Sequence, residues 1–366
     1  MRFGLYINPQ TPGADDDGRI IREVLGQVQL AEELGLTDVW LTEHHFTGYN
    51  AYSDPLTLAA ALAALTRTMT IGYSLAVVPF HHPIRFVTAC NLVDQLSGGR
   101  LYVGVGPGNS PDEFHGFGYA AEERHAMIEE FMTIAEQAWH APPEGFSYGG
   151  RYWRGEVRGR IIPAPFQRPR PPIAWATLTP ETIEHVGRKG YGWLIAPFAP
   201  EWVAHRMQFY AAGLAASGLD DAAIERAWYG TGMNRMIYVS APGEDWEETI
   251  GQYIDIYVRK SALANFGIDT LPKDDFLARR ERLLKTWLFV GDADSLIERL
   301  RPYCEIGVRH CMLWIHFGHL PDPLIRASLQ RFVRDVLPAL EKIEPTDAAR
   351  ERYAARFIPP APVAPA

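Results

Sequence analysis

The strongest constraint in this chain is a regular alternation of short apolar runs with longer segments of helical periodicity. "RFGLYI" (2–7) reads as a strand, and "RIIREVLGQVQLAEELG" (19–35) follows with apolar residues at helical spacing and a glycine suited to a C-cap. The strand "DVWLTE" (38–43) precedes the helix 54–68, opened by Asp54 as N-cap and Pro55 at the first helical position. The strand "TIGYSLAVV" (70–78) leads to the helix 83–99, and "LYVGVG" (101–106) leads to the helix 122–139. After an irregular stretch the rhythm resumes with strand 173–177, helix 180–189, strand 192–197, helix 200–216, strand 235–240 and a helix near 244–260. "KTWLFVGDADSLIERL" reads as a loop into a helix, and "HCMLWIH" (310–316) is the last strand, backed by the helix 323–343.

Strands separated by helices pair in parallel, because only a crossover returns the chain to the same sheet edge. Eight such units favour a closed (β/α)8 barrel over an open doubly wound sheet, which usually stops at five or six strands. The expected organisation is a single barrel domain over 1–343 with insertions after strands 4 and 7, at 141–172 and 261–286. The first insertion is rich in Pro, Gly, Arg and aromatics and reads as a hairpin or irregular segment. The Pro/Ala-rich tail 344–366 reads as extended or disordered.

Composition removes several functional classes. A formal net charge of −9 without a basic run leaves no electrostatic footprint for nucleic acid or an anionic membrane, so a small molecule is the expected partner. Cys90, Cys304 and Cys311 lie in apolar stretches without CxxC spacing, which points to core fillers in a reducing compartment. No run has the length of a signal peptide or a membrane span, and a cytoplasmic protein is expected.

In a (β/α)8 barrel, chemistry belongs to the C-terminal ends of the strands. Strand 2 ends in Glu43-His44-His45, strand 3 runs into His81-His82, strand 4 ends in "GVGPGN" (104–109), strand 5 in Thr177 and Thr179, and strand 8 in His316. Side chains alternate along a strand, so at most one of His44 and His45 faces the barrel mouth. A histidine exchanges protons near neutral pH, and a neighbouring Glu43 can fix its tautomer. Packing or backbone satisfaction of the pair is the bland alternative. A metal site lacks the H-x-H spacing and a completing carboxylate at another strand end. "GVGPGNS" is not a dinucleotide fingerprint, because no helix opens directly behind it. In "ATLTPET" (176–182), Thr179 at an N-cap position and Thr182 one turn on can converge with free N–H groups on an anion, although a cap that serves only its own helix looks the same.

Together "VWLTEHHF" (39–46), "VVPFHHPIR" (77–85), "LVDQLSGGRLYVGVGPG" (92–108) and "VGDADSLIERL" (290–300) resemble the bacterial-luciferase-like flavin-dependent monooxygenases, in order, from residue 1 to about 340. The resemblance implies a (β/α)8 barrel that takes reduced FMN from a separate NAD(P)H:flavin reductase. Through a C4a-peroxyflavin formed with O2, it oxygenates a small apolar substrate such as a terpene, aldehyde or ketone. It implies that His44, supported by Glu43, handles protons, and that a non-proline cis peptide at Ser74-Leu75 supports the flavin ring. Gly106, Asn109 and Thr177 are expected beside the cofactor, Thr179 and Thr182 at its phosphate, and Arg124 as a phosphate-side cation. Luciferase itself carries arginine where this chain has Pro107, and the "GVGPG" form is more similar to the limonene-monooxygenase branch. An apolar pocket that excludes water is expected, with Phe46, Tyr73, Phe80, Phe198 and Trp314 as candidates. By position, 261–286 matches a mobile lid, and a homodimer through the helices 54–68 and 83–96 is implied. Three other readings are an F420-dependent oxidoreductase on the same barrel, a non-catalytic flavin-binding protein and a metal-dependent hydrolase.

Overall fold

The barrel strands are short because they are buried on both faces and need only enough length to span the barrel wall. The computed structural model describes residues 1–352 and gives twelve strands. They are β1 (Arg2–Ile7), β2 (Asp38–Leu41), β3 (Thr70–Tyr73), β4 (Ala76–Val77), β5 (Leu101–Gly106), β6 (Gly145–Gly149), β7 (Arg154–Arg158), β8 (Ile173–Ala176), β9 (Gly192–Ile195), β10 (Gly232–Val239), β11 (Leu288–Gly291) and β12 (His310–Trp314). Eight of them, in the order β1-β2-β3-β5-β8-β9-β10-β12, pair in parallel, and β12 returns to β1 to close the barrel. Every residue of β2, β5, β9 and β12 is buried. That is the pattern of parallel strands sandwiched between a filled interior and an outer helical ring.

The helices that matter below are α1 (Ala14–Glu33), α2 (Pro55–Leu65), α3 (Pro83–Ser97), α4 (Pro111–Phe117), α5 (Arg124–Trp139), α6 (Pro180–Arg188), α7 (Pro200–Ala215), α8 (Asp221–Tyr229), α9 (Trp246–Phe266) and α10 (Lys273–Arg282). Asp54 caps α2 as the sequence implies, accepting from the N–H groups of Leu56 and Thr57 with Pro55 at the first turn. α1 begins five residues before the apolar periodicity does, because Asp15, Asp16 and Asp17 form a polar first turn favoured by the helix dipole.

Four expectations are corrected. The run 70–78 is not one strand: β3 stops at Tyr73, and a two-residue β4 resumes against β5 before a 3-10 turn over Val78–Phe80, with the expected non-proline cis peptide at Ser74–Leu75 lying in the break. The segment 288–291, read as loop, is β11, too short to show alternation. The stretch 261–286, read as irregular, is mostly helix. α9 runs to Phe266, and α10 follows with only Phe276 buried, so it lacks the apolar stripe that periodicity detects. In the tail, Asp347–Arg352 is helical, and residues 353–366 lie outside those described. The insertion 141–172 does hold a hairpin, β6 against β7.

The barrel wall has a seam at β10. β10 pairs with β9 through Gly232 and Met233, with β12 from Met233 to Met236, and with β11 from Met236 to Val239. Since Met236 meets both Trp314 and Leu288, β11 takes over the edge that β9 vacates after Ile195. The fully buried Arg235 stitches this seam. Its guanidinium donates to the carbonyls of Pro197, Phe198 and Thr286, and to the Tyr303 hydroxyl. Phe289 and Tyr303 lie within 4.5 and 4.8 Å of it. No helix of the described residues is long and apolar enough to cross a membrane.

Candidate functional site

β2 ends at Leu41, so Glu43, His44 and His45 sit in the loop above the strand, where backbone direction is no longer set by the ladder. His44 faces a cavity of about 400 Å³ at the C-terminal ends of the strands, and His45 does not line it. The separation of the pair expected from alternation therefore holds, with a different cause. The His44 Nδ1 lies 3.0 Å from Oε1 of Glu113, which also accepts from the His45 N–H at 2.9 Å. An acceptor on that side places the ring hydrogen on Nδ1 and turns Nε2 into the exchangeable position. The Tyr49 ring meets His44 edge-on at 4.9 Å and fixes its plane.

Glu43 is engaged differently. Its carboxylate accepts from the Val77 N–H at 2.7 Å, faces His81 Nε2 at 2.9 and 3.0 Å, and faces His45 Nε2 at 2.9 Å. Burial works against its charge, yet the His81 and His45 imidazoles outweigh burial and hold the carboxyl down at about 2. His81 is displaced the other way: burial opposes its charge, and the Glu43 carboxylate raises it above the usual histidine value. Glu43 thus ties the loop after β2 to β4 and the turn behind it.

The remaining candidates divide. Ser74, Leu75, Asn109 and Thr177 line the cavity. Gly106 lies behind it, and a Cβ there would meet the Leu75 side chain at 2.6 Å, so only glycine lets that residue sit. Asn109 reaches Asn265 of α9 at 3.4 Å across the mouth. Thr179 and Thr182 lie outside the lining, at the N-terminus of α6. Their hydroxyls are bonded to each other at 2.8 Å, and the Thr179 side chain makes no cap bond to its own helix. Arg124 donates to the Ala121 carbonyl and does not line the cavity. His316, at the end of β12, is buried against Gln27 and pushed down to about 4 by burial, so it is a neutral packing residue.

Of the candidate aromatics, only Trp314 lines the cavity. Tyr73 is buried, Phe80 stacks on Phe117 at 4.5 Å, and Phe46 is 65% exposed. Tyr6, Tyr49, Phe266 and Trp287 line it instead. Glu113 was missed as well. Ser110-Pro111-Asp112-Glu113 carries the signature of a helix start, and α4 does open there, so the signal was present just beyond the glycine-rich loop.

The cavity has the makings of a bed for a flat heteroaromatic group. Leu75, Ala176, Leu194 and Ile195 give apolar walls. Asn234 and Trp314 also line it, and Asn234 Oδ1 and Trp314 Nε1 are buried without a protein partner, an acceptor and a donor left over beside the cavity. Hydroxyls and free N–H groups at the start of α6 suit an anion. These features fit FMN.

Similarity to known proteins agrees with this geometry. The oxygenase component of a flavin-dependent trigonelline monooxygenase from Acinetobacter baylyi is 24% identical over 358 residues, covering 93% of this chain and 96% of that protein. Limonene 1,2-monooxygenase from Rhodococcus erythropolis is 32% identical over 133 residues, 36% of this chain and 34% of that protein. Other curated relatives are matched over about half of their length, 54% and 52% in two cases. The crystal structure of the monooxygenase RslO1 from Streptomyces bottropensis superposes with a TM-score of 0.77 at 26% identity, over 92% of this chain and 99% of that one. The family model for luciferase-like monooxygenases matches residues 1–310, and the chain belongs to that family.

Proposed function

We propose that this protein is the oxygenase component of a two-component flavin system. It receives reduced FMN from a separate NAD(P)H:flavin reductase and uses O2 to place one oxygen atom on a small apolar substrate such as a terpene, aldehyde or ketone. The observation that carries this reading is one cavity that joins an oriented histidine to apolar walls and to two lining residues, Asn234 and Trp314, each with an unpartnered polar atom. When bound, reduced FMN supplies the electrons that activate O2.

The chain's own residues do the rest. Glu113 holds the His44 ring so that Nε2 moves the proton at the reacting centre. Glu43 has its oxygens engaged by Val77, His81 and His45, so we assign it to positioning the loop that carries His44. Leu75, pressed against Gly106, supports the ring face, and Trp314 with Ile195 keeps water out. Thr179 and Thr182 hold the phosphate. Arg124 is the expected phosphate cation by resemblance alone. A homodimer would use α2 and α3, where Leu92 and Leu96 are about half exposed beside the small Ala61 and Ala64.

The test couples the protein to a flavin reductase. With NADH and O2, wild type forms an oxygenated product, while His44→Ala binds FMN and forms at least 100-fold less, within the ~10²–10⁴ range of a positioned acid or base. Equal product from the variant removes His44 from its role, and O2 consumption without any product indicates a non-catalytic flavin binder. Other barrels of this fold use F420. Tighter binding of F420 than of FMN in a direct titration would exchange the cofactor. Unchanged activity after chelation disposes of a metal-dependent hydrolase.

A further inference from the structure

A second cavity, about 530 Å³, opens beside the first between the start of α7, the C-terminal half of α9 and the segment from α10 to β11. Pro197, Ser261, Phe266 and Trp287 line both cavities, so these four residues form the partition between them. Its inner wall is aromatic, with Phe198 and Trp202 in ring contact at 4.2 Å and Tyr257 beyond them. Its outer wall carries two arginines, Arg279 and Arg282.

The arginines of α10 are treated unequally. Arg280 points away from the cavity and is neutralised by Glu247 and by Asp255, the latter at 2.7 Å. Arg279 and Arg282, which face the cavity, meet no carboxylate within 4.0 Å among the described residues. The Arg279 guanidinium lies 5.1 Å from the ring centre of Phe266, a residue of the partition. In a chain of net charge −9 with carboxylates to spare, two cations left open at the rim of an aromatic cavity mark a place for one external anion.

We infer that the second cavity binds the anionic end of an amphipathic substrate, a carboxylate on an aromatic or aliphatic body, whose apolar part passes the Phe266–Trp287 partition toward His44. Arg279 and Arg282 are then the specificity-determining residues. This changes the substrate class of the proposed oxygenase from purely apolar to amphipathic, and it rests on that reading for its functional meaning. The recognition itself is measurable without flavin or turnover.

The experiment uses the full chain without flavin and two probes of equal shape, 4-phenylbutyrate and 4-phenylbutan-1-ol, with tryptophan fluorescence from Trp202 and Trp287 as readout. Wild type binds the acid at least tenfold more tightly than the alcohol, and added salt narrows the gap. In Arg279→Gln/Arg282→Gln the acid falls to the level of the alcohol while the alcohol is unaffected, which also reports an intact cavity. Arg280→Gln, which loses only its pairs to Glu247 and Asp255, keeps the preference. Equal affinity for the two probes in wild type, no binding of either, or a preference that survives in the double variant overturns the inference. A second arm compares FMN with riboflavin. If the double variant weakens FMN at least tenfold and leaves riboflavin unchanged, the anion is the cofactor's phosphate and the carboxylate is excluded. Acid selectivity in a protein that forms no oxygenated product retains the site and sinks the proposed function instead.

Discussion

Two buried carboxylates stand five residues apart at the two ends of one strand, Asp38 within it and Glu43 just past it, and they do opposite things. Asp38 opens β2 at the bottom of the barrel, and Glu43 follows its end at the top. Asp38 accepts from Trp40 Nε1 at 2.6 Å and Thr37 Oγ1 at 2.6 Å, faces His310 Nε2 at 2.7 Å, and pairs with Arg2 at 3.3 Å. Burial opposes its charge, but these partners hold it far below the usual carboxylate range. His310 is pushed down by burial and by Arg2, so it sits neutral and Arg2 is the cation. Glu43 has a comparable number of partners, but two are histidines packed beside a cavity, one of them raised toward its charged form. The bottom network closes the barrel, whereas the top one aims a loop. Equal satisfaction of hydrogen bonds therefore says little about role, and proximity to open volume says more.

Substitutions can break that contrast. The largest expected effect is Asp38→Ala, which leaves the partly buried Arg2 without its counter-charge and strips His310, Trp40 and Thr37 of their acceptor, and should cost about 3–5 kcal/mol in urea unfolding. The turnover of the molecules that remain folded should stay within twofold. His44→Ala should invert the pattern, with product formation down by about 10²–10⁴-fold and unfolding hardly changed. Glu43→Gln tests the middle ground through pH. A carboxyl held at about 2 instead of 4.5 contributes stability that is whole above 4.5 and lost as pH falls toward 2. Wild type should therefore exceed the variant by about 3 kcal/mol at pH 6 and converge with it near pH 2. The raised His81 adds a part that is complete below 6.5 and fades as pH rises through its raised value, so the wild-type advantage should also shrink on the alkaline side. An advantage independent of pH would contradict the charge assignment. The smallest effect is Glu113→Gln, about tenfold on turnover with FMN affinity unchanged, measured as a split between kcat and binding.

Much of the fold was legible because parallel strands buried on both faces leave continuous apolar runs, and the helices between them carry caps such as Asp54-Pro55. What escaped had no such signature. β11 is four residues long, α10 buries a single side chain, and the break after Tyr73 is a backbone event. At the site, His44, Asn109 and Thr177 could be reached from strand ends, whereas Ser74 and Leu75, inside a run read as one strand, came only from the family resemblance. Glu113 lies sixty-nine residues from its partner, on a helix that only its Ser-Pro-acidic start announces. The second cavity depends on α9 and α10 folding back over the mouth, a tertiary event without a local pattern.

The seam in the barrel wall decides how a change in one part of this architecture reaches another. Because β9 and β10 meet over only two residue pairs and Arg235 holds the rest by backbone carbonyls, the span from Trp246 to Trp287 leaves and rejoins the barrel along one edge. That span is nonetheless tied back to the strand ends, because the Tyr257 hydroxyl bonds that of Tyr49, whose ring meets His44, at 2.9 Å, and Lys260 donates to the Thr11 carbonyl at 2.8 Å. A change of shape in α9 therefore reaches His44 through the Tyr49 ring, and one near Thr286 reaches the barrel edge through Arg235, so the outer helices and the mouth move as one mechanical unit.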